Sequence, residues 1–254
     1  MAGRPWILAE TDWKTVSATR YVVAVLPWGA TEAHNLHLPY ATDTIQSEAV
    51  AAEAARIAWE AGARVIVLPP MPFGVQTGQL DIPLCINVNP STQAALLADV
   101  AYSLAEQGIS RLVILNGHGG NDFKPMIREL QPDVPVFLCT LEWYRCLDAR
   151  AYFEQPGDHA GELETSVLLH LRPDLVRPLG EAGDGAARGF RISGLRDGWV
   201  WAPRQWTAVS ADTGVGDPRA ATAEKGERFF TDATRRIAQF LIELSSADPA
   251  DLYE

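Results

Sequence analysis

Short, continuously apolar runs alternate with longer amphipathic stretches through the first half of the chain. The runs fall at 21–26 (YVVAVL), 63–68 (ARVIVL), 111–115 (RLVIL) and 134–138 (VPVFL). Each is apolar throughout rather than at every second position, the pattern of a strand covered by helices on both faces. The intervening stretches 44–61, 90–107 and 121–130 have helical character, and Gly62 and Gly108 stand where the first two should stop. The order β-α-β-α-β-α-β predicts an α/β fold with a mainly parallel sheet and right-handed crossovers.

The second half is less regular. A helix is expected over about 160–171, ending before Pro173, and a Gly- and Trp-rich stretch over 180–216 reads as long loops or a hairpin. A last helix is expected from near Pro218, with Phe229, Ala233, Ile237, Phe240 and Leu244 on one face. No repeat or linker divides the chain, so residues 1–254 are read as one domain.

Composition narrows the partners. The net charge is -11, with no dense run of Lys or Arg, which argues against nucleic acid; a small or cationic substrate fits better. Hydrophobic residues make up 47% of the chain, enough for a large core without staples. Cys85, Cys139 and Cys146 show no CxxC spacing and cannot all pair, which favours a reducing cytoplasm. The N-terminus lacks a basic region followed by an apolar stretch, and no apolar run approaches the ~20 residues that span a bilayer. A cytoplasmic protein without membrane contact is expected.

Ligands of open parallel sheets bind at the carboxyl ends of the strands. After the first strand comes Gly29-Ala30-Thr31-Glu32-Ala33-His34-Asn35-Leu36-His37-Leu38-Pro39, then Thr42-Asp43. Imidazole and carboxylate donors suit zinc, manganese or iron. In extended chain Glu32 and His34 would point the same way. Taken singly, each residue has a structural reading. A loop histidine is usually solvated or hydrogen-bonded, and Asp43 with Gln46 resembles a capping box, unless Thr42 caps instead and frees the carboxylate. The third strand ends in Asn116-Gly117-His118-Gly119-Gly120-Asn121. This turn lacks the Lys-Ser/Thr of a phosphate loop, and a histidine between glycines suits ligation better than packing. A third cluster is His159-Ala160-Gly161-Glu162-Leu163-Glu164-Thr165-Ser166. Glu164 precedes Val167, Leu168 and Leu171 at i+3, i+4 and i+7, on or beside the apolar face, where it either pairs or reaches water from the edge. His159 could be a proton donor, an anion partner or a residue of the helix cap.

Together these segments resemble the creatininase family, the creatinine amidohydrolases. GATEAHNLHLP with the following TD, NGHGGN and HAGELETS match its blocks in order, and Gly214-Val215-Gly216-Asp217-Pro218 with ATAEKG at 221–226 is similar to its C-terminal signature. The resemblance implies a three-layer α/β/α fold, two divalent metal ions per subunit and hydrolysis of a C–N bond. By motif position Glu32 and His118 would hold one metal, His34 the other, and Asp43 would bridge them. Creatininase has an acidic ligand two residues after the histidine of its second block. Here that position is Gly120, as in the broader NGHGGN branch, and Glu164 is the candidate to replace it. The family also implies a homo-oligomer, often a hexamer.

The mechanism implied is attack of a metal-activated hydroxide on a carbonyl, with His159 or Glu164 passing a proton to the leaving nitrogen. The expected substrate is a small amide, cyclic amide or formamide. A lactone or sugar-acid hydrolase with the same metals is the rival enzyme, and an inactive metal-binding protein the rival outside enzymes. His37 is not counted as a ligand. Trp143, Trp199, Trp201 and Trp206 either pack or wall the pocket.

Overall fold

Residues in the middle of the parallel sheet bury both faces, and the strands alternate between two separate apolar layers. The computed structural model describes residues 3–253. Its elements are α1 (Trp13–Ala18), β1 (Val23–Trp28), α2 (Thr42–Glu60), β2 (Val65–Val67), α3 (Pro90–Glu106), β3 (Arg111–Asn116), α4 (Phe123–Leu130), β4 (Phe137–Glu142), α5 (Glu162–Leu171), α6 (Ser193–Arg196), α7 (Trp206–Val209) and α8 (Ala223–Ser246). Val23, Val25, Val113 and Leu115 face α2 and α8, meeting Val50, Ala54, Phe229 and Leu241. Ala24, Leu26, Leu112 and Ile114 face α3 and α4, meeting Leu97, Ala101, Phe123 and Met126. The architecture is the expected three-layer α/β/α sandwich.

All strand pairs are parallel, in the order β2-β1-β3-β4. The chain leaves β1 in one direction to form β2, then crosses to the other side of β1 to form β3. That reversal opens a crevice at the carboxyl ends of β1 and β3, the usual ligand position in such sheets. There Trp28 pairs with Asn116, and both following turns lie side by side.

Gly62 (φ 98°) and Gly108 (φ 74°) end α2 and α3 in the left-handed conformation expected of them. The bounds of β1, β4 and the last helix differ from expectation in an instructive way. β1 runs from Val23 through Pro27 and Trp28 rather than over 21–26, its last two residues being as buried as the rest. β4 begins at Phe137, whose N–H bonds to the Ser110 carbonyl, and runs into Thr140 and Glu142. As an edge strand it need not be apolar, whereas Val134 and Val136, read as strand, are buried before it starts. The last helix starts at Ala223 rather than near Pro218, because the Thr222 side chain accepts the Lys225 N–H as its cap. The 180–216 stretch is mostly loop, the first of its two expected forms, with the short α6 and α7 and an isolated Ala187–Ser210 bridge in place of a hairpin.

Candidate metal centre

The turns after β1 and β3 and the segment entering α5 bring the three sequence clusters together. Gly117 makes the approach of the second turn possible. A Cβ there would strike the Ser47 hydroxyl and lie 3.0 Å from the Asp43 carbonyl oxygen, so β3 could not close on the first turn of α2. Asp43 therefore reaches the site from inside α2 rather than capping it. The cap position is Ala41, without a side-chain bond, and the Thr42 hydroxyl donates to the Pro39 carbonyl. Gln46 donates to the Glu164 carbonyl instead of closing a capping box.

Asp43 offers one oxygen to each side. Its Oδ1 lies 3.0 Å from His34 Nε2 and its Oδ2 3.1 Å from His118 Nδ1. Glu32 Oε1 is 2.8 Å from His118 Nδ1, and Glu164 Oε1 is 4.0 Å from His34 Nε2. Two donor groups result, Glu32–Asp43–His118 and His34–Asp43–Glu164, sharing Asp43. Glu32, His34 and His159 form a third grouping on the same floor.

The histidine rings are fixed by backbone carbonyls. His34 Nδ1–H donates to Glu32 O at 3.0 Å, His118 Nε2–H to Val75 O at 3.0 Å, and His159 Nε2–H to Ala33 O at 2.8 Å. In each neutral ring the remaining nitrogen carries a lone pair and faces carboxylate oxygens. This is the tautomer arrangement that presents imidazole to a cation. Asp43 Oδ2 is buried and completes no hydrogen bond despite His118 beside it. A buried carboxylate oxygen left facing a nitrogen lone pair is what a divalent ion would satisfy.

Without an ion, protons do that work. Burial alone would lower His34, but Asp43, Glu164 and Glu32 raise it to about 10. His118 is likewise raised well above its ordinary value by Glu32 and Asp43, against burial. Burial favours the neutral acid at Asp43 and Glu32, yet the histidines hold both below the usual carboxylate range. Glu164 goes the other way, because burial outweighs His34 and His159. His37 lies outside all three donor groups; it bonds to Thr165 Oγ1 at 2.8 Å, and burial followed by the His34 charge lowers it to about 4.

Gly120 is more than an absent acid. A Cβ there would run into the Val75 carbonyl oxygen and the His118 ring, so the turn is closed around glycine. Glu164, its carboxylate also held by the Ala160 N–H, stands with His34 and Asp43 in the second donor group.

A cavity of about 990 Å³ opens above these groups, lined by Tyr144, Arg204 and Trp206 as well as Glu32, His159 and Glu164. Trp206 packs against His159 with ring centres 4.7 Å apart and planes inclined at 57°, and Arg204 lies over Trp206 at 4.5 Å while pairing with Asp158. Among the expected tryptophans, Trp206 walls the cavity, Trp143 packs in the core, and Trp199 and Trp201 are exposed. Sequence reasoning missed Gln79, which is buried and donates to Glu32, and Tyr144, whose buried hydroxyl has no partner. Gln79 follows β2 and Tyr144 follows β4, so the rule that ligands gather at strand carboxyl ends pointed to both segments.

The family model for creatinine amidohydrolase matches residues 9–241. A mycofactocin precursor peptide peptidase of Mycolicibacterium smegmatis is 33% identical over 224 residues, covering 85% of this chain and 83% of that protein. The crystal structure of a Bacteroides fragilis protein named after the creatinine amidohydrolases aligns with a TM-score of 0.92 at 44% identity, covering 98% of each chain. A manganese-form creatininase shares the fold, with a TM-score of 0.78 at 23% identity over 96% of this chain and 100% of that one.

Proposed function

The chain belongs to the creatininase family of metal-dependent amidohydrolases, and from that premise we propose that it hydrolyses a C–N bond of a small amide, cyclic amide or formamide. Glu32, Asp43 and His118 would hold one divalent ion, and His34, Asp43 and Glu164 a second, with zinc, manganese or iron suited to the donors. The observation that carries the reading is the shared Asp43, one oxygen toward each histidine, beneath an open cavity. Bound in such a site, divalent metal lowers the pKa of water toward neutrality and polarises a carbonyl.

The chain's own groups do the rest. His159, fixed through Nε2 on Ala33 O, turns Nδ1 toward the reaction and passes a proton to the leaving nitrogen. Trp206 covers that ring and keeps bulk water from it. Glu164, on the same floor beside His34, is the alternative proton carrier, its carboxyl held above the usual range because burial outweighs the histidines around it. The Tyr144 hydroxyl, buried and free, donates to an oxygen of the bound substrate.

A second reading has its own support. The relatives at 33% identity are named as peptide peptidases, and the cavity exceeds what a molecule the size of a single small ring fills. The bond cleaved would then be a peptide bond, by the same groups. Metal-replete protein assayed against cyclic amides, N-formyl compounds, lactones and short peptides separates the readings. Turnover of a C–N substrate that disappears on chelation and returns with metal is expected. Turnover confined to lactones would overturn the C–N assignment, and tight metal binding with no turnover of any class would favour an inactive binding protein. No helix among the described residues is long and apolar enough to cross a membrane. A homo-oligomer would cover the exposed Leu80, Leu84, Trp199 and Trp201.

A further inference from the structure

Glu32 has two oxygens, and they meet different neighbours. Oε1 faces His118 Nδ1 at 2.8 Å, whereas Oε2 accepts a hydrogen bond from the side-chain amide of Gln79. Gln79 is only 2% exposed, and its other end is also engaged. Its Oε1 accepts the Cys85 S–H at 3.2 Å, and the Cys85 sulfur accepts the Ala33 N–H at 3.3 Å. The path therefore closes on the residue next to Glu32.

A primary amide can turn either end toward a carboxylate, but only its NH2 end attracts one. A thiol donating to the amide oxygen selects that orientation. Burial pushes the Cys85 thiol up, which keeps it an S–H donor. The segment is also fastened to the loop it serves. The Ile86 N–H bonds to Thr31 O at 3.0 Å, and Leu84, immediately before the cysteine, holds a left-handed φ of 64° that non-glycine residues seldom adopt.

We propose that Gln79 is a positioning residue for the metal centre: its amide, oriented by the Cys85 thiol, occupies Glu32 Oε2 and leaves Glu32 a one-oxygen ligand through Oε1. The proposal rests on the reading that Glu32 holds metal. Gln79 touches neither metal nor substrate in this role. It sets which oxygen is offered and in which direction, as hydrogen-bonded neighbours of metal ligands commonly do.

The test uses full-length protein stripped by chelator and titrated with Zn²⁺ and with Mn²⁺ in competition with a chromophoric chelator. Gln79→Met keeps the shape and removes the amide; it should weaken metal affinity about 10–100-fold while leaving the Tm of the metal-free protein close to wild type. Cys85→Ala should lose part of that affinity, and Cys85→Ser, which still donates, should recover it. Wild-type affinity in Gln79→Met for both metals overturns the proposal while leaving the metal centre standing. If Gln79→Met does not fold, the cysteine pair decides, and equal affinities in Cys85→Ala and Cys85→Ser overturn it. Failure of the wild-type protein to bind either metal would overturn the metal reading itself, and this inference with it.

Discussion

At His34, His118 and His159 one ring nitrogen is committed to a main-chain carbonyl, which decides what the other can do. In the metal-free protein His34 titrates at about 10 and His118 well above its ordinary value, so both are protonated at pH 7. A metal needs those lone pairs, hence binding must release protons. Calorimetric titrations in buffers of different ionisation enthalpy should show proton release near neutral pH, and affinity should rise with pH up to about 10. Identical heats in all buffers would refute this. The sign for stability is opposite. The raised folded-state values stabilise the metal-free protein fully below the unfolded histidine pKa of ~6.5, and that contribution fades as pH climbs toward about 10. His159→Ala should keep its metals and lose ~10²–10⁴ in kcat, since only the proton path is removed; unchanged turnover would show the proton comes from elsewhere. Residue identity was the hardest level to read from sequence. Asp43 alone looked equally like a helix cap, because a carboxylate in a first helical turn serves either purpose. The helix start decides, with Ala41 at the cap position and Asp43 inside α2. Gln79 was invisible because a neutral amide carries no chemical signature of its own.

Among the elements, the turn at 117–120 and the entry to α5 carry the site. Because Gly120 is enclosed by the Val75 carbonyl and His118, Gly120→Glu should not supply a further ligand. It should overpack the turn at a cost of ~1–3 kcal/mol and weaken metal binding, read by thermal denaturation and metal content. A gain in affinity would mean the turn can open. The wall at 153–158 is held differently. The buried Glu162 carboxylate accepts the N–H groups of Glu154 and Gln155, and Lys225 of α8 bonds to both Glu162 and Glu154. Lys225→Met leaves that carboxylate without its cation. With the lysine 23% exposed, a loss of ~2–3 kcal/mol is expected, below the ~3–5 for a fully buried pair. KM should rise while metal content stays constant; a loss of stability with unchanged KM would separate the clamp from the cavity. The interior strands and long helices were legible because burial on both faces leaves a plain apolar signature. The bounds of the edge strand β4 and the short α6 and α7 were not, since half-exposed or four-residue elements carry too few positions to show a period.

On the scale of the whole molecule, the crevice follows from strand order alone. The order β2-β1-β3-β4 was not readable from the sequence, yet adjacency of the first and third strands is what lets Glu32, Asp43 and His118 meet. Donors so far apart in the chain converge only after the sheet has formed, so metal should bind the folded state selectively. Saturating metal at ~100 times Kd should add ~2.7 kcal/mol of stability, visible as a concentration-dependent Tm; a Tm indifferent to metal would count against a site built by the fold. The cavity also has two origins. Its floor stands on turns fixed by the sheet and by the enclosed glycines, while Tyr144, Arg204 and Trp206 reach it from segments outside the sheet. Selection can therefore retune the rim without redesigning the reactive floor. An exchange of residues 145–157 with those of a relative is a modular change, altering which molecules are admitted and leaving the bond-breaking apparatus in place.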